Sequence, residues 1–326
     1  MVNILVTGGC GFIGSEVVNV IFQETKDLNR LVVLDRMDYC SRESNILAQV
    51  RENEIYRFVK GDLCDYELML KTLIDNEINI VIHMAAQSHV DLSFKNPLQF
   101  THDNVLGTQT LLIACTQYGK LNRFVHMSTD EVYGEVSHDE ENPCTEEVSV
   151  LIPTNPYAAS KAAAEHYVRA EGKSYKLPYV IIRGNNVYGP KQFPDKLIAK
   201  FISYLHLGRK VTIHGNGSSK RTFIHVNDMA KGILSVVNNG VLGQTYNIGS
   251  FNEFSVLEIT QLLCKLMNKD FDDSVVYVPD RNFNDKRYFI NHSKVLSLGW
   301  EEKITFDDGI LETINWYKDH VDEYDI

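Results

Sequence analysis

The chain has 326 residues, of which 44% are hydrophobic and 23% are charged, a composition typical of a globular protein with one large core or a core and a smaller companion domain. The formal net charge of -11 argues against broad contact with nucleic acid or an anionic membrane, because both need a basic surface. No apolar stretch approaches the roughly 18 residues that span a bilayer, and the strand-like pattern of the first residues leads us to expect no signal or transit peptide.

The cysteines and histidines show no metal-binding spacing. The six cysteines are scattered without a CxxC pair, and the histidines form neither an HxxxH nor an HExxH pattern. We therefore expect reduced thiols in a cytoplasmic protein, and no bound metal.

Short apolar segments alternate with longer amphipathic segments through the first half of the chain. The short segments are rich in Val, Ile and Leu without period-2 alternation, which predicts buried strands at Val2–Val6, Leu31–Leu34, Tyr56–Val59, Ile80–His83, Arg123–Met127 and Tyr179–Ile182. The longer segments predict helices at Phe12–Glu24, Tyr66–Asn76 (capped by Asp65), Leu98–Tyr118 and Tyr157–Tyr175. This alternation predicts an α/β fold with a doubly wound, parallel Rossmann sheet, whose ligands bind at the carboxyl ends of the strands.

Beyond Gly184 the predicted strands become short, and Gly, Pro and Asn interrupt the pattern. Helices are predicted at Leu197–Leu207, Val226–Val237, Ser255–Met267 and Thr305–Tyr317. We predict a Rossmann domain over residues 1–183, to which 211–245 returns, and a smaller mixed α/β substrate-binding domain from residues 184–210 and 246–326. The acidic segment Glu135–Glu147 is interpreted as a solvated loop, with a lid as the alternative.

A glycine-rich segment follows the first predicted strand and opens the first predicted helix. Gly8, Gly11 and Gly14 satisfy the spacing of a dinucleotide-binding loop, in which glycine permits a close approach to the pyrophosphate and the helix end supplies N–H donors. Phe12 and Ile13, which lie between Gly11 and Gly14, are predicted to bind the cofactor with these glycines. Asp35 ends the second strand, where a carboxylate accepts from ribose hydroxyls and repels a 2′-phosphate. NAD is therefore favoured over NADP, although Arg36 directly beside Asp35 leaves NADP open.

Residues at the ends of later strands continue the predicted cofactor path. Asp62 and Leu63 follow the third strand and suit an adenine contact. Ala85 and Ala86 follow the fourth strand, where small side chains let a cofactor pass close to the backbone.

Tyr157 and Lys161 are four residues apart on a predicted helix and therefore share one face. A nearby ammonium stabilises phenolate, so we predict that Lys161 lowers the pKa of Tyr157 and makes it a base near neutral pH. The same lysine could hydrogen-bond the ribose of a nicotinamide nucleotide.

Asp130 and Glu131 follow the fifth predicted strand and could supply an acid and a base beside Tyr157. Two adjacent residues of an extended strand point to opposite faces, so the chain must already turn at Thr129 if both are to serve one substrate. From the residues alone, a surface turn remains an equal alternative.

At this point the chain resembles the nucleotide-sugar 4,6-dehydratases of the extended short-chain dehydrogenase family, over essentially its whole length. The matching segments include Thr7–Gly14, Ala85–Asp91, Ser128–Gly134, Asn155–Lys161, Arg183–Pro190, Gln192–Ile198 and Asp280–Tyr288. Related epimerases and decarboxylases share the tyrosine and lysine but generally lack the carboxyl pair.

The resemblance implies a role for each catalytic residue. Tyr157 would take the proton of the sugar 4-hydroxyl while the C4 hydride moves to NAD, with Thr129 bonded to the 4-oxygen. Glu131 would remove the C5 proton, and Asp130 would protonate the C6 hydroxyl, which leaves as water. Return of the hydride to C6 gives a 4-keto-6-deoxy sugar, so the cofactor is expected to stay tightly bound.

The resemblance also implies a substrate site and a choice of substrate. Its predicted substrate-binding residues are Ser88, Thr129, Asn186, Lys196, Leu197, Arg221, Asn284 and Arg287. Gln87 stands where many bacterial dTDP-glucose enzymes have Glu. The segments 183–187 and 281–288 more closely resemble the UDP-glucose dehydratase domain of rhamnose synthases. UDP-glucose is therefore favoured, for rhamnose or another deoxysugar, and dTDP-glucose is the alternative.

Other interpretations remain open at this point. A UDP-sugar 4-epimerase or decarboxylase would use the same NAD, tyrosine and lysine. A catalytically silent NAD-binding regulator would need a broken Tyr157–Lys161 pair or a lost glycine loop, and neither is seen. The resemblance further implies a homodimer formed through Leu98–Tyr118 and Tyr157–Tyr175.

Overall fold

The computed structural model describes residues 1–137, 142–279 and 287–324, and within these ranges its main feature is a parallel sheet of seven strands. In chain order the strands are β1 (Val2–Thr7), β2 (Leu28–Asp35), β3 (Tyr56–Lys60), β4 (Ile80–His83), β5 (Arg123–Thr129), β6 (Tyr179–Gly184), β7 (Asn186–Tyr188), β8 (Val211–His214), β9 (Lys220–His225), β10 (Thr245–Ile248), β11 (Glu253–Ser255) and β12 (Val275–Val278). The main sheet has the order β10-β6-β5-β4-β1-β2-β3. Strands β2 and β3 are added on one side of β1, and β4 is then added on its other side. A doubly wound sheet opens a ligand-binding cleft at such a point, here between β1 and β4.

Helices cover both faces of this sheet. In chain order they are α1 (Phe12–Glu24), α2 (Ala48–Arg51), α3 (Tyr66–Asp75), α4 (Val90–Lys95), α5 (Pro97–Phe100), α6 (Gly107–Tyr118), α7 (Pro156–Tyr175), α8 (Leu197–His206), α9 (Val226–Asn239), α10 (Val256–Leu266), α11 (Phe271–Ser274), α12 (Ser293–Leu296) and α13 (Phe306–His320). Ile4 and Val6 of β1 join a buried cluster with α1 and α9, whereas Leu5 joins a second cluster with α3, α6 and α7. Alternate residues of one strand therefore enter two different cores, which explains why the strands lack polar alternation.

The predicted α/β fold with a parallel Rossmann sheet is confirmed. The six predicted strands all form, and none differs from its prediction by more than three residues at either end. Helix α1 has the predicted bounds, and Asp65 caps α3 by accepting from the N–H of Leu68 at 3.0 Å. The apolar pattern located these elements because burial on both faces leaves few polar positions within them.

The segment Leu98–Tyr118, predicted as one helix, is interrupted. Between α5 and α6 the chain forms a π-helical segment, Thr101–Leu106. Such segments are rare and change which side chains face inward. Here Asp103 and Asn104 become buried next to the cleft.

The second half of the chain adds two smaller sheets, with the order β11-β9-β7 and the pair β12-β8. The segment 211–245 was predicted to return to the Rossmann domain, but its strands β8 and β9 do not join the main sheet, because their hydrogen-bond partners are strands of the smaller sheets. Other parts of this segment do pack against or join the main sheet. Helix α9 packs on α1, and Thr245 begins β10, the edge strand of the main sheet. A third hydrophobic cluster holds α8, α10 and α13 against the smaller sheets. The division into a cofactor domain and a substrate domain stays a proposal.

None of the helices within the described ranges combines the length and the hydropathy that a bilayer-crossing segment requires.

Candidate active site

A cavity of about 750 Å³ lies at the carboxyl edge of the main sheet. The loops after β1, β3, β4 and β6 and the ends of β2 and β5 line it on one side, and residues of α8 and β9 line it on the other. Its volume is in the range of small-molecule sites, and its position is where parallel α/β sheets bind their ligands.

The glycine loop between β1 and α1 forms one end of the cavity. Gly8 has a φ of +68°, and a Cβ atom there would lie 2.6 Å from the Cα atom of Ala85. A Cβ atom on Gly14 would lie 2.1 Å from the carbonyl oxygen of Gly8, so only glycine lets α1 pack this closely on the loop. Gly11 is the N-cap of α1 and has no capping side chain, so the helix end can offer its N–H groups to an anion. The loop therefore fits a dinucleotide pyrophosphate.

Asp35 is held rigidly at the end of β2. Its Oδ2 atom accepts from the N–H of Cys10 at 3.0 Å, and its Oδ1 atom accepts from the N–H of Met37 at 2.8 Å. The structure places every residue that was predicted to bind the cofactor on the cavity wall: Gly8, Gly11, Phe12, Ile13, Gly14, Asp35, Asp62, Leu63, Ala85, Ala86, Tyr157 and Lys161.

Tyr157 and Lys161 face the cavity from the first turns of α7. Asn155 caps this helix by accepting from the N–H of Ala158 at 2.8 Å, which sets the direction in which the helix starts. The Nζ atom of Lys161 donates to the carbonyl oxygen of Met127 at 2.6 Å. Burial lowers the pKa of Lys161 to about 8, against an opposing effect of Glu165.

The predicted effect of Lys161 on the Tyr157 phenol is wrong for this structure. Burial raises the pKa of Tyr157 well above its ordinary value, and the charge of Glu131 raises it further, while a hydrogen bond with Thr129 acts in the opposite direction. The ammonium of Lys161 bonds a main-chain carbonyl, and desolvation outweighs the attraction on which the prediction depended.

The chain turns at Thr129, as the sequence required for a shared site. β5 ends there, and Asp130–Tyr133 form a single 3-10 turn that Thr129 caps. Glu131 reaches the cavity wall, where its Oε2 atom accepts from the side-chain amide of Asn155 at 2.9 Å and from the hydroxyl of Tyr288 at 3.4 Å. The turn therefore brings a carboxylate next to the phenol.

Asp130 lies behind the cavity wall and is only 2% exposed. Its Oδ2 atom accepts from the side-chain amide of Asn185 at 2.6 Å, and its Oδ1 atom accepts from the hydroxyl of Thr129 at 3.2 Å. Burial raises the pKa of Asp130 to about 7, the neighbouring Glu131 also raises it, and the two hydrogen bonds oppose the shift. Near neutral pH this carboxyl is therefore partly protonated, as a proton donor must be.

Most of the predicted substrate-binding residues lie on the cavity wall, some at the strand ends of the main sheet and some on α8 and β9. Ser88, Thr129, Asn186, Lys196, Leu197 and Arg221 line the cavity. The guanidinium of Arg221 stacks on the ring of Tyr288 at 4.8 Å, and the Nζ atom of Lys196 donates to the carbonyl oxygen of Ser88 at 3.2 Å.

Two predicted substrate-binding residues are not placed on this wall. Arg287 does not belong to the lining, because its Nε atom donates to Glu253 at 2.6 Å and its guanidinium packs on Phe289. The structure thus pairs this guanidinium with Glu253, and its contact with substrate stays a prediction. Asn284 lies outside the described residues.

Asn104 is a site residue that the sequence reasoning missed. Its Nδ2 atom donates to the carbonyl oxygen of Gln87 at 2.9 Å and to the hydroxyl of Ser160 at 2.9 Å, and its Oδ1 atom accepts from the N–H of Gln87 at 2.7 Å. It thereby joins the loop after β4 to the helix of Tyr157. An asparagine within a predicted helix was the available signal, and the π-helical segment that turns it inward has no recognisable pattern.

The fold and the site together define a Rossmann-fold enzyme of the extended short-chain dehydrogenase class. Residues 5–313 match the family model described as GDP-mannose 4,6 dehydratase, and the chain belongs to this family.

Individual relatives agree with this assignment. The chain is 44% identical over 315 residues to an Arabidopsis thaliana trifunctional UDP-glucose 4,6-dehydratase/UDP-4-keto-6-deoxy-D-glucose 3,5-epimerase/UDP-4-keto-L-rhamnose-reductase, covering 97% of this chain and 47% of that protein. It is 43% identical over 320 residues to the Mus musculus dTDP-D-glucose 4,6-dehydratase, covering 97% and 88%. The crystal structure of the dTDP-glucose 4,6-dehydratase DesIV from Streptomyces venezuelae, with NAD bound, superposes with a TM-score of 0.94 at 37% identity, covering 99% of both chains. The chain thus spans about half the length of the trifunctional relatives.

Proposed function

We propose that the chain is a 4,6-dehydratase that converts UDP-glucose to UDP-4-keto-6-deoxyglucose and water, with NAD as its cofactor. The observation that carries this proposal is the neighbourhood at the end of β5, where the Thr129 hydroxyl, two carboxyls and the Tyr157 phenol interact. Hydride transfer alone needs only the phenol as a proton acceptor. Removal of a C5 proton and a C6 hydroxyl needs a further base and a further acid, which the two carboxyls can supply.

The first step is deprotonation of the sugar 4-hydroxyl by Tyr157. Thr129 hydrogen-bonds the phenol and orients it, and the buried position keeps the phenol protonated in the resting protein. A bound NAD would supply the acceptor of the C4 hydride and the donor of the hydride to C6, and the positive charge of its oxidised form would favour phenolate. We assign Lys161 to the ribose hydroxyls of the cofactor, because its ammonium is already held at the cavity wall by the Met127 carbonyl.

Elimination follows from the two carboxyls. Glu131 takes the C5 proton, which the ketone at C4 acidifies, and Asn155 and Tyr288 fix the direction of its carboxylate. Asp130 holds the proton for the C6 hydroxyl, since burial keeps its pKa near 7. To deliver that proton, its side chain has to rotate toward the cavity, away from the 2.6 Å bond to Asn185.

UDP-glucose is proposed as the substrate, with dTDP-glucose as the alternative. The similar Arabidopsis protein is named for UDP-glucose and the similar mouse protein for dTDP-glucose. Support for UDP comes from the likeness of segment 183–187 to the rhamnose-synthase type and from Gln87, which replaces the Glu of many bacterial dTDP-glucose enzymes. The direct test offers purified protein each sugar nucleotide separately and compares kcat/KM for the 4-keto-6-deoxy product. A higher value with dTDP-glucose would reject the UDP assignment and leave the dehydratase proposal intact.

The competing activities predict different products. A 4-epimerase or decarboxylase would leave the C6 oxygen in place or remove carbon dioxide, and a silent regulator would give no product. Mass spectrometry of the nucleotide sugar separates these outcomes, because only the dehydratase product has lost one water. The epimerase and reductase activities in the name of the longer Arabidopsis protein concern steps that would follow this product toward rhamnose.

We further infer that the chain acts as a cytoplasmic homodimer. Leu106 and Ile113 are each 46% exposed at the start and middle of the α6 region, and Tyr167 is 38% exposed on the adjacent α7. Large apolar side chains on two neighbouring helices suit a self-complementary interface. Sedimentation should give a dimer for the unmodified chain and a monomer for Ile113→Glu, whereas Ile74→Glu on α3 should remain dimeric. A monomeric unmodified chain would reject the inference.

A further inference from the structure

Arg36 occupies the position that decides between the two nicotinamide dinucleotides. It directly follows Asp35 at the end of β2, and both residues line the cavity. In Rossmann enzymes an arginine near this strand end accommodates the 2′-phosphate of NADP, because its planar fork of donors matches the phosphate oxygens. The presence of Arg36 would therefore favour the phosphorylated dinucleotide if its guanidinium were able to reach the ligand.

The guanidinium is instead held by a cage of three carboxylates, which we define as Asp38, Asp62 and Asp103. Its Nη2 atom lies 2.8 Å from Oδ2 of Asp38 and 2.7 Å from Oδ2 of Asp103, and its Nη1 atom lies 3.4 Å from Oδ2 of Asp62. All three carboxylates line the cavity, as does Asp35. Three carboxylates thus hold one guanidinium, and with Asp35 on the same cavity wall this end of the cavity has an excess of negative charge.

The two nearer carboxylates of the cage are themselves fixed. Asp38 accepts from the side-chain amide of Gln87 at 2.9 Å, and Asp103, one of the two buried residues of the π-helical segment, accepts from the side-chain amide of Gln99 at 2.8 Å. Burial acts to raise the pKa of both carboxyls, but the hydrogen bonds and charge of Arg36, together with the other hydrogen bonds that each carboxylate accepts, outweigh burial and hold each pKa below its ordinary value. Both groups therefore stay ionised at neutral pH and keep Arg36 in place.

We propose that Asp38 and Asp103 determine cofactor choice by holding Arg36 away from a 2′-phosphate, so that the cage and Asp35 together exclude NADP. The aspartates act through Arg36 and are positioning residues. This inference rests on the proposed use of NAD and adds residues that the sequence did not point to, since Arg36 on its own favoured the opposite choice. Gln87 takes part through its bond to Asp38.

The test measures which dinucleotide the full chain retains. The protein is equilibrated with NAD⁺ and NADP⁺ mixtures, free dinucleotide is removed on a desalting column, and the bound fraction is quantified by chromatography after denaturation. The unmodified chain should retain NAD⁺. Asp38→Asn/Asp103→Asn should shift the retained ratio toward NADP⁺ by at least about tenfold, the typical value of one charge-assisted hydrogen bond.

Two further variants identify the cause of the shift. Adding Arg36→Met to the double variant should abolish the gain, because the released guanidinium is the group that binds the phosphate. Asp27→Asn/Asp75→Asn, which removes the same two negative charges at exposed positions, should leave the ratio unchanged. An unchanged ratio in the double variant, or a gain that persists without Arg36, would overturn the proposal. Failure of the unmodified chain to retain any dinucleotide would instead overturn the proposed cofactor.

Discussion

Burial of the Asp130 carboxyl should lower the free energy of unfolding, and Asp130→Asn should therefore stabilise the protein above neutral pH. The side chain is 2% exposed and its pKa is raised from 3.8 to about 7, chiefly by burial. The folded state therefore binds the proton more tightly than the unfolded state does. Between about pH 4 and pH 7 the unfolded state loses this proton first, so the free energy of unfolding falls as the pH rises.

The size of the effect follows from the pKa difference. A shift of about three pH units corresponds to about 4 kcal/mol at most, which is the cost of keeping the ionised carboxylate buried above pH 7. Asparagine has the same shape, its carbonyl can still accept from Asn185, and its amide can donate to the Thr129 hydroxyl. The variant should therefore be more stable than the unmodified chain at pH 8 by up to this amount, and the difference should shrink toward pH 4.

The assay is urea unfolding followed by tryptophan fluorescence at several pH values and one fixed NAD concentration, combined with the dehydration rate. The same variant should dehydrate at least about 100-fold more slowly, since it has lost the proposed acid. Asp27→Asn, at an exposed position, should change the unfolding free energy by the same small amount at every pH. A variant that is no more stable than the unmodified chain at pH 8 would refute the reasoning about Asp130.

Three other substitutions test separate parts of the account. Tyr157→Phe should abolish C4 oxidation while circular dichroism stays unchanged; normal turnover would remove Tyr157 from the mechanism. Glu131→Gln should still oxidise C4 but slow elimination by at least about 100-fold, so absorbance of the reduced nicotinamide should accumulate in a single turnover; normal dehydration would reassign the base. Glu165→Ala should destabilise the fold by about 3–5 kcal/mol in urea unfolding, because it leaves Arg183 buried without its 2.7 Å partner; a change below about 1 kcal/mol would contradict that expectation.

Much of the fold could be predicted because it depends on local patterns. Apolar strands without alternation, the glycine loop and the cap at Asp65 each have a physical cause within a few residues of sequence. The cavity lining followed from the same reasoning, since the ends of parallel strands meet at one edge of the sheet. For this reason Gly8, Asp35 and Asp62 could be placed together without coordinates.

The remaining features depend on contacts between distant segments. The direction of Asp130 is set by Asn185 in the loop after β6, and the pKa of Tyr157 is set by burial, which the one-turn spacing to Lys161 does not reveal. The bond of Arg287 to Glu253 likewise joins segments far apart in sequence. The pairing of β8 and β9 with short strands of the second half could not be read either, because strands of three or four residues carry little periodic signal.

The proposed mechanism moves one hydride from C4 to C6 of the same sugar. UDP-glucose labelled with deuterium at C4 reports this transfer directly. The account predicts that the deuterium is found at C6 of a product that has lost one water. Recovery of the deuterium at C4 of an intact hexose, or a product that has lost water without deuterium at C6, would contradict it.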